Sequence, residues 1–306
     1  MTEDRTMLDL TAMRSPNDLQ HLTELRDIQL VAVPESLASY VHRLPQQDVT
    51  LVATVPDGLR LRTRTGMTQV SGDSLSYPNA HKEFLAVVGA LIFTSPVTKI
   101  DLAGMAVVGA VLAPIGSERA ISTALSSVVG LVTYFPYVEG QQIKAHSGQT
   151  TLNAATLEDT SGGPDNILLV AGQLVVTGDV RSVAYREIIA VGQAILPRAS
   201  QDVLGPVMRV EGQTIWYRGT TPRLIMGEEE FGQQFLELVD EPISLIVFGH
   251  VRFSDDVSPD ILRAKVAEIV LFGSIRAPKN VIPVVQFLTP EKFGVIEAVE
   301  DSVGDA

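Results

Sequence analysis

With 306 residues, 45% of them apolar and 19% charged, the chain can bury a sizeable core and falls outside the disordered class. Its 23 Lys and Arg stand against 36 Asp and Glu, and the net charge of −13, which no evident Lys/Arg cluster relieves, argues against a nucleic-acid partner. The absence of cysteine excludes disulfides, thiolate metal sites and cysteine nucleophiles.

In chain order, Met1–Thr6 shows no basic stretch leading into an apolar one, so no secretory leader is read and a cytoplasmic location is expected. Met7–Met13 reads as a first strand. Ser15-Pro16 then opens a short helix, with Ser15 as N-cap, Pro16 at the first helical position, and Leu19, Leu22 and Leu25 facing inwards. Apolar runs at Ile28–Val33 and Val49–Val55 read as strands, and Leu59–Glu83 is less regular.

Leu85–Phe93 and Ala106–Leu112 follow as strands inside a stretch, Phe84–Thr133, that looks membrane-spanning by hydropathy. Its unbroken apolar runs are shorter than the ~20 residues a spanning helix needs. Lys99, Asp101, Glu118 and Arg119 interrupt it, so no membrane span is expected. Gln141–Asn166 is irregular and carries an expected loop at Thr160–Asn166.

Ile167–Val176, Ile188–Leu196 and Ile243–Phe253 read as strands, with Thr220–Pro242 irregular between the last two. Ser258-Pro259 opens a second capped helix through Ala267. In Ile269–Ile275, residues Ile269, Leu271, Gly273 and Ile275 share one face. Pro278 starts a further helix through Val281 and Ile282 that Pro283 kinks or ends. Phe293–Val299 reads as the last strand, and Asp301–Ala306 as a frayed end. Many of these strands are almost wholly apolar, the pattern of parallel strands covered on both faces.

One long period runs through the chain. Pro34, Pro114, Pro197 and Pro278 each follow a short apolar run, at intervals of 80, 83 and 81 residues. Gly89, Gly172 and Gly249, then Gly109, Gly192 and Gly273, and Gly130, Gly212 and Gly294 keep nearly the same beat, at intervals of 77 to 83 residues. A shorter period lies inside it, since Gly89, Gly109 and Gly130 are 20 and 21 residues apart. The organisation read from this is four copies in one continuous elongated domain: 1–80, 81–160, 161–240 and a truncated 241–306. The expected fold class is an α/β repeat solenoid, with stacked parallel strands, short helices and coils of 20–24 residues.

A strand followed by a short helix every 20–24 residues resembles the leucine-rich-repeat class of solenoids. The resemblance is architectural and covers most of the chain. That family's ladder of Asn or Cys is absent here, Ser274 standing near its place in the Ile269 coil. The family's habit of binding protein on a concave face is what the resemblance implies for partners.

Catalytic signatures are missing: no phosphate-binding glycine loop and no Gly-x-Ser-x-Gly occurs. His21, His42, His81, His146 and His250 are scattered singly, so neither a metal nor a cofactor is expected. Glu228-Glu229-Glu230 and Asp255-Asp256 read as solvated loop charge. The aromatics carry more information. Tyr134-Phe135 and Trp216-Tyr217 occupy equivalent places after Gly130 and Gly212, with Tyr137 and Arg218 beside them. They form either an internal stack or a docking patch.

The leading functional expectation is a non-enzymatic scaffold that self-associates end to end, its partner being itself. Met7, Leu8 and Leu10 at one end and Phe293, Val295 and Ile296 at the other are the candidate contacts. The alternative is a monomeric module that recognises another protein through the aromatic surface Tyr134, Phe135, Tyr137, Trp216, Tyr217 and Arg218. A lesser one is an enzyme acting on an extended polymer, for which Asp179, Asp255 and Asp256 are the available acids.

Overall fold

The computed structural model describes residues 5–159, 163–219 and 222–299. The ends expected to fray are 1–6 and 301–306; residues 1–4 and 301–306, with the loop residues 160–162, lie outside this range, while Arg5 and Thr6 belong to the first strand. The strands form five parallel sheets joined by short helices, a repeat-like α/β architecture. Two compact units divide the chain: Met1–Gly148 with Asp165–Gly172, and Gln149–Pro164 with Gln173–Ala306.

In the first unit, β1 (Arg5–Asp9), β2 (Leu25–Pro34) and β3 (Gln46–Val55) form a sheet in that order, with α1 (Ala38–Val41) between β2 and β3. A second sheet orders β4 (Arg60–Val70), β5 (Glu83–Phe93), β6 (Gly104–Pro114) and β7 (Leu125–Phe135), and α2 (Glu118–Ala124) precedes its last strand. Alternation assigns the two faces of each strand. Val31 and Val33 of β2 pack with Leu19, Leu37 and Val41 from the connecting turns and α1. Leu30 and Ala32, pointing the other way, pack against Phe84, Ala86 and Val88 of β5. The opposite face of β5, through Leu85, Val87, Leu91 and Phe93, meets Ile121 and Ala124 of α2. One face of each sheet therefore meets a sheet and the other meets helices, which is why the central strands are apolar throughout.

The third sheet orders β8 (Ile143–Asn153), β9 (Ile167–Thr177), β10 (Glu187–Pro197) and β11 (Met208–Tyr217), with α3 (Ala154–Glu158) and α4 (Gln201–Leu204) as connections. The unit boundary cuts its first two strands at Gly148 and Gly172. In the second unit each later strand is broken in two. β12 (Arg223–Ile225) and β13 (Glu228–Phe231) are followed by α5 (Gln233–Glu237). β14 (Ile243–Val247) and β15 (His250–Phe253) are followed by α6 (Pro259–Lys265). β16 (Val266–Leu271) and β17 (Ser274–Ala277) are followed by α7 (Ile282–Leu288), and β18 (Glu291–Lys292) and β19 (Val295–Ala298) close the series.

The first halves form the sheet β12-β14-β16-β18 and the second halves β13-β15-β17-β19. Leu236 of α5, Leu262 of α6 and Val285 of α7 cover one face of both. On the other face Ile246 and Val270 pack with Val175, Ile195, Ile215 and Tyr217.

Glycines line up across the strands. Gly66, Gly89, Gly109 and Gly130 are direct register partners in β4, β5, β6 and β7. Gly192 pairs with Gly212 in the third sheet. At Gly109 φ is +129°, and a methyl group there would overlap the carbonyl oxygen of Gly89 and sit 2.9 Å from its carbonyl carbon. The recurring glycine thus marks a bend where successive backbones approach too closely for any side chain.

Buried serines also join one coil to the next. Ser117 and Ser200 are buried, and their hydroxyls accept the N–H groups of Val97 and Val180, each at 2.9 Å. Replacing Ser117 by Ala leaves the Val97 N–H without its acceptor, for an expected loss of about 1–3 kcal/mol in urea unfolding. Ser122→Ala, on the exposed side of α2, is the control and is expected to change little.

Several elements differ from the sequence reading. The helix expected from Ser15 is a single 3-10 turn, Pro16–Leu19. The Asp18 carboxylate accepts the N–H groups of Arg14 and Ser15, and Leu25 already belongs to β2. Pro283 lies in the first turn of α7 and begins that helix rather than ending it, since the ring removes a donor the first turn leaves unused. Ile243–Phe253 and Ile269–Ile275 are each broken into two strands at Gly249 and Gly273. Ser258 does cap α6, accepting from the Ile261 N–H at 3.3 Å. Among the described residues, no helix is long and apolar enough to cross a membrane.

Candidate interaction surface at the open strand edges

The segments read as irregular, 59–83, 141–166 and 220–242, hold β4, β8 and the pair β12 and β13. Each opens a new sheet. These strands escaped the sequence reading because an edge strand is covered on fewer sides and keeps polar residues at many positions, as in Arg60–Val70.

The closing edges have a different character. Among the described residues β7 pairs only with β6, and its eleven residues include no charge and no proline. Val128 and Val129 on it are 37% and 40% exposed. Such a strand lacks the devices that usually block pairing with another chain. At the opposite edge of the same sheet, the space beside Gly66 where the next glycine carbonyl would sit is empty.

The second unit repeats this arrangement with aromatic rings. Phe248, Phe272 and Phe293 each precede a glycine of the column Gly249, Gly273 and Gly294, and their rings stack at 5.0 and 5.3 Å with planes within 12°. The stack ends on Phe293, 48% exposed, on the segment leading into the edge strand β19. In the same register at the opening edge, Met226 precedes Gly227 and is 56% exposed. Gly227 has nothing within 4 Å of a notional side chain.

A third ladder is polar. Gln173 donates to Gln193, and Gln193 donates to Gln213 at 2.7 Å, which places the Gln213 amide at the edge strand β11. Gln149 follows Gly148 in β8 as these three follow their own glycines.

The residues proposed from sequence as end contacts divide in two. Leu10 is buried and Leu8 half-buried in the helix-side core of the first sheet, while Met7 packs towards the sheet-side core. Phe293 and Val295 are exposed, and Ile296 packs against the core of the second unit.

The aromatic set divides too. Phe135 and Tyr217 are fully buried, and they are the register partners of Pro114 and Pro197. The Tyr217 hydroxyl donates to the Val176 carbonyl at 2.9 Å, and burial pushes its pKa well above the ordinary phenol value. Tyr134, Tyr137 and Trp216 are half-buried. Tyr134 packs on the core beside α2, where burial and then the charge of Glu118 raise its pKa. Arg218 is exposed, but its N–H donates to Glu268 at 2.7 Å. The two aromatic groups belong to different units.

Glu228–Glu230 form strand β13 rather than a loop. Glu230 accepts from Ser254, and Arg223 bridges to Glu229 at 2.9 Å. Exposed His250, in β15, shares a hydrogen bond with Ser274 Oγ through Nδ1 at 2.7 Å. Among the described residues, no group of three or more His, Asp or Glu is placed to hold a metal.

Sequence reasoning also missed a basic stripe, Arg60, Arg62 and Arg64 on β4. A search for contiguous Lys/Arg runs passes over it, whereas a search at the strand period of two finds it. Comparison with protein-family models, with curated proteins and with solved structures returns no match.

Proposed function

We propose that this chain is a solenoid-type repeat protein of four related copies, acting as a non-enzymatic scaffold whose molecules join head to tail by strand addition. The reading rests on one observation: glycine, phenylalanine and glutamine ladders run across the sheets and reach edges where further strands have room. Val129 and Phe293 are exposed at closing edges, and Gly66 and Gly227 face open space at opening ones. A second copy placed with its opening edge against a closing edge would continue a ladder at its own spacing. The contact is heterologous, so it propagates into a filament or closes into a ring.

Leucine-rich-repeat-like recognition of another protein is the competing use of such an architecture. Burial of Phe135 and Tyr217 removes two of the largest side chains from the surface that reading needs. Self-association is therefore the better supported of the two.

Light scattering across a concentration series, with negative-stain imaging, tests the proposal. The wild-type protein is expected to grow beyond the 32.9 kDa monomer as concentration rises. Val129→Lys combined with Phe293→Asp places charges at two closing edges, and is expected to hold the protein at monomer mass with an unchanged circular dichroism spectrum and a melt lowered only by the lost Phe272–Phe293 stack. A wild-type protein that stays monomeric at the highest concentration reached, or a double variant that assembles like it, refutes the proposal.

A further inference from the structure

Arg60, Arg62 and Arg64 alternate along β4, so all three side chains leave one face of the sheet. Their register partners are Glu83, Leu85 and Val87, and the two apolar ones belong to the helix-side core. Arg62 is held in place. Its Nη1 donates to the Tyr77 hydroxyl at 2.5 Å and to Glu83 Oε2 at 3.2 Å, while Tyr77 donates to the same carboxylate oxygen. The hydrogen bond from Tyr77, followed by that from Arg62, holds the Glu83 carboxyl below its ordinary pKa, so it stays ionised at neutral pH.

The charge of Glu83 is answered by Arg62, and the flanking arginines remain. Arg60 approaches Glu83 only to 4.0 Å, with its side chain 80% exposed. Arg64 donates to a backbone carbonyl, that of Thr63, at 3.2 Å. Arg60 is thus loosely paired and Arg64 has no carboxylate ion pair among the described residues, so two exposed guanidinium groups flank a fixed Arg–Tyr–Glu cluster. Together with Leu61 and Thr63 these groups line a groove of about 470 Å³.

Membership of an opening strand accounts for one cation. β8 and β12 each have one at the place equivalent to Arg62: Lys144 and Arg223, four residues ahead of Gly148 and Gly227. It does not account for two further arginines, for the Tyr77 clamp or for the concavity.

We propose that this groove binds a small polyvalent phosphate of the di- or triphosphate type. The planar fork of each guanidinium matches two phosphate oxygens. The Cα atoms of Arg60 and Arg64 are four strand residues apart, or about 13 Å, and their long side chains converge on a ligand that carries linked anionic groups. Arg62, pinned between them, supplies the middle of the cradle. With a net charge of −13 the protein as a whole disfavours anions, and binding at this cluster weakens as salt rises.

Isothermal titration of the full-length protein with inorganic triphosphate tests the assignment, with citrate as a carboxylate of similar charge. One saturable site for triphosphate is expected at low ionic strength, and weaker binding of citrate. Arg60→Gln combined with Arg64→Gln alters only exposed side chains and is expected to lower the affinity by at least about tenfold. Its melting temperature should match wild type, and Arg223→Gln should bind as wild type does. No saturable triphosphate binding, equal affinity in the double variant, or citrate binding as tightly as triphosphate each overturns the proposal.

Discussion

Gly109→Ala is expected to cost more than about 4 kcal/mol, a large part of the stability of an ordinary domain, or to prevent folding outright. Two effects add at this position. The backbone sits at φ +129°, a conformation that residues with a Cβ scarcely adopt. The added methyl would also overlap the carbonyl of Gly89, and that carbonyl belongs to a strand pinned by Gly66 on its far side. Neither strand can retreat without breaking its register with the next. Gly58→Ala separates the two effects, because Gly58 also has a positive φ, +83°, but nothing lies within 4 Å of the added atom. A cost of only about 1–2 kcal/mol is expected there. Urea unfolding of the two variants checks the comparison. If Gly109→Ala proves as mild as Gly58→Ala, the backbones do not approach as closely as the ladder requires.

Tyr217 is expected to give the second largest effect. It is among the largest fully buried side chains, packed with Ile195, Ile215, Ile246 and Val270 where two sheets of the second unit meet. Tyr217→Ala opens a cavity at that junction and is expected to lose about 3–5 kcal/mol. Tyr217→Phe keeps the ring but leaves the Val176 carbonyl without its donor, for about 1–3 kcal/mol. A pH series adds an independent signature. Burial raises the phenol's pKa in the folded state, so above the ordinary value of about 10 the folded protein holds a proton that the unfolded chain has released. Stability is therefore complete below that pH and falls as pH rises through it, and Tyr217→Phe should flatten the fall. Fluorescence of neighbouring Trp216, the only tryptophan, reports unfolding in both variants. An alkaline profile identical in wild type and Tyr217→Phe would contradict the buried, protonated phenol.

The interior of the fold was legible in the sequence. The runs at Ile28–Val33, Leu85–Phe93, Ala106–Leu112 and Ile188–Leu196 all lie within central strands, where both faces are covered and nearly every residue is apolar. The edges were not. β4, β7, β8 and β11 carry polar or small residues on a partly uncovered strand, and such a pattern resembles a loop until its neighbour is known. Helices fared unevenly for a related reason. Ser258-Pro259 starts a real helix, whereas the same signal at Ser15-Pro16 makes one turn before β2 takes Leu25. Local capping sets where a turn begins, and the demand of the neighbouring strand sets where it ends. Of the residues named as contacts, Phe293 and Val295 are exposed, while Phe135 and Tyr217 went into the core.

By itself the sequence determined the spacing of this protein. The glycine beat of 20 to 24 residues and the proline beat of about 80 are one-dimensional, and prolines 34, 114 and 197 duly close β2, β6 and β10. Strand periodicity is equally local, since alternate side chains leave opposite faces whatever lies beyond them. Tertiary structure alone decided which face meets a sheet and which meets helices, which strands stay at an edge, and what the glycines are for. Those depend on partners brought together across the chain: a Gly109 that must lack a side chain is defined by the Gly89 carbonyl behind it, and an arginine stripe becomes a groove only when Tyr77 and Glu83 fold against it.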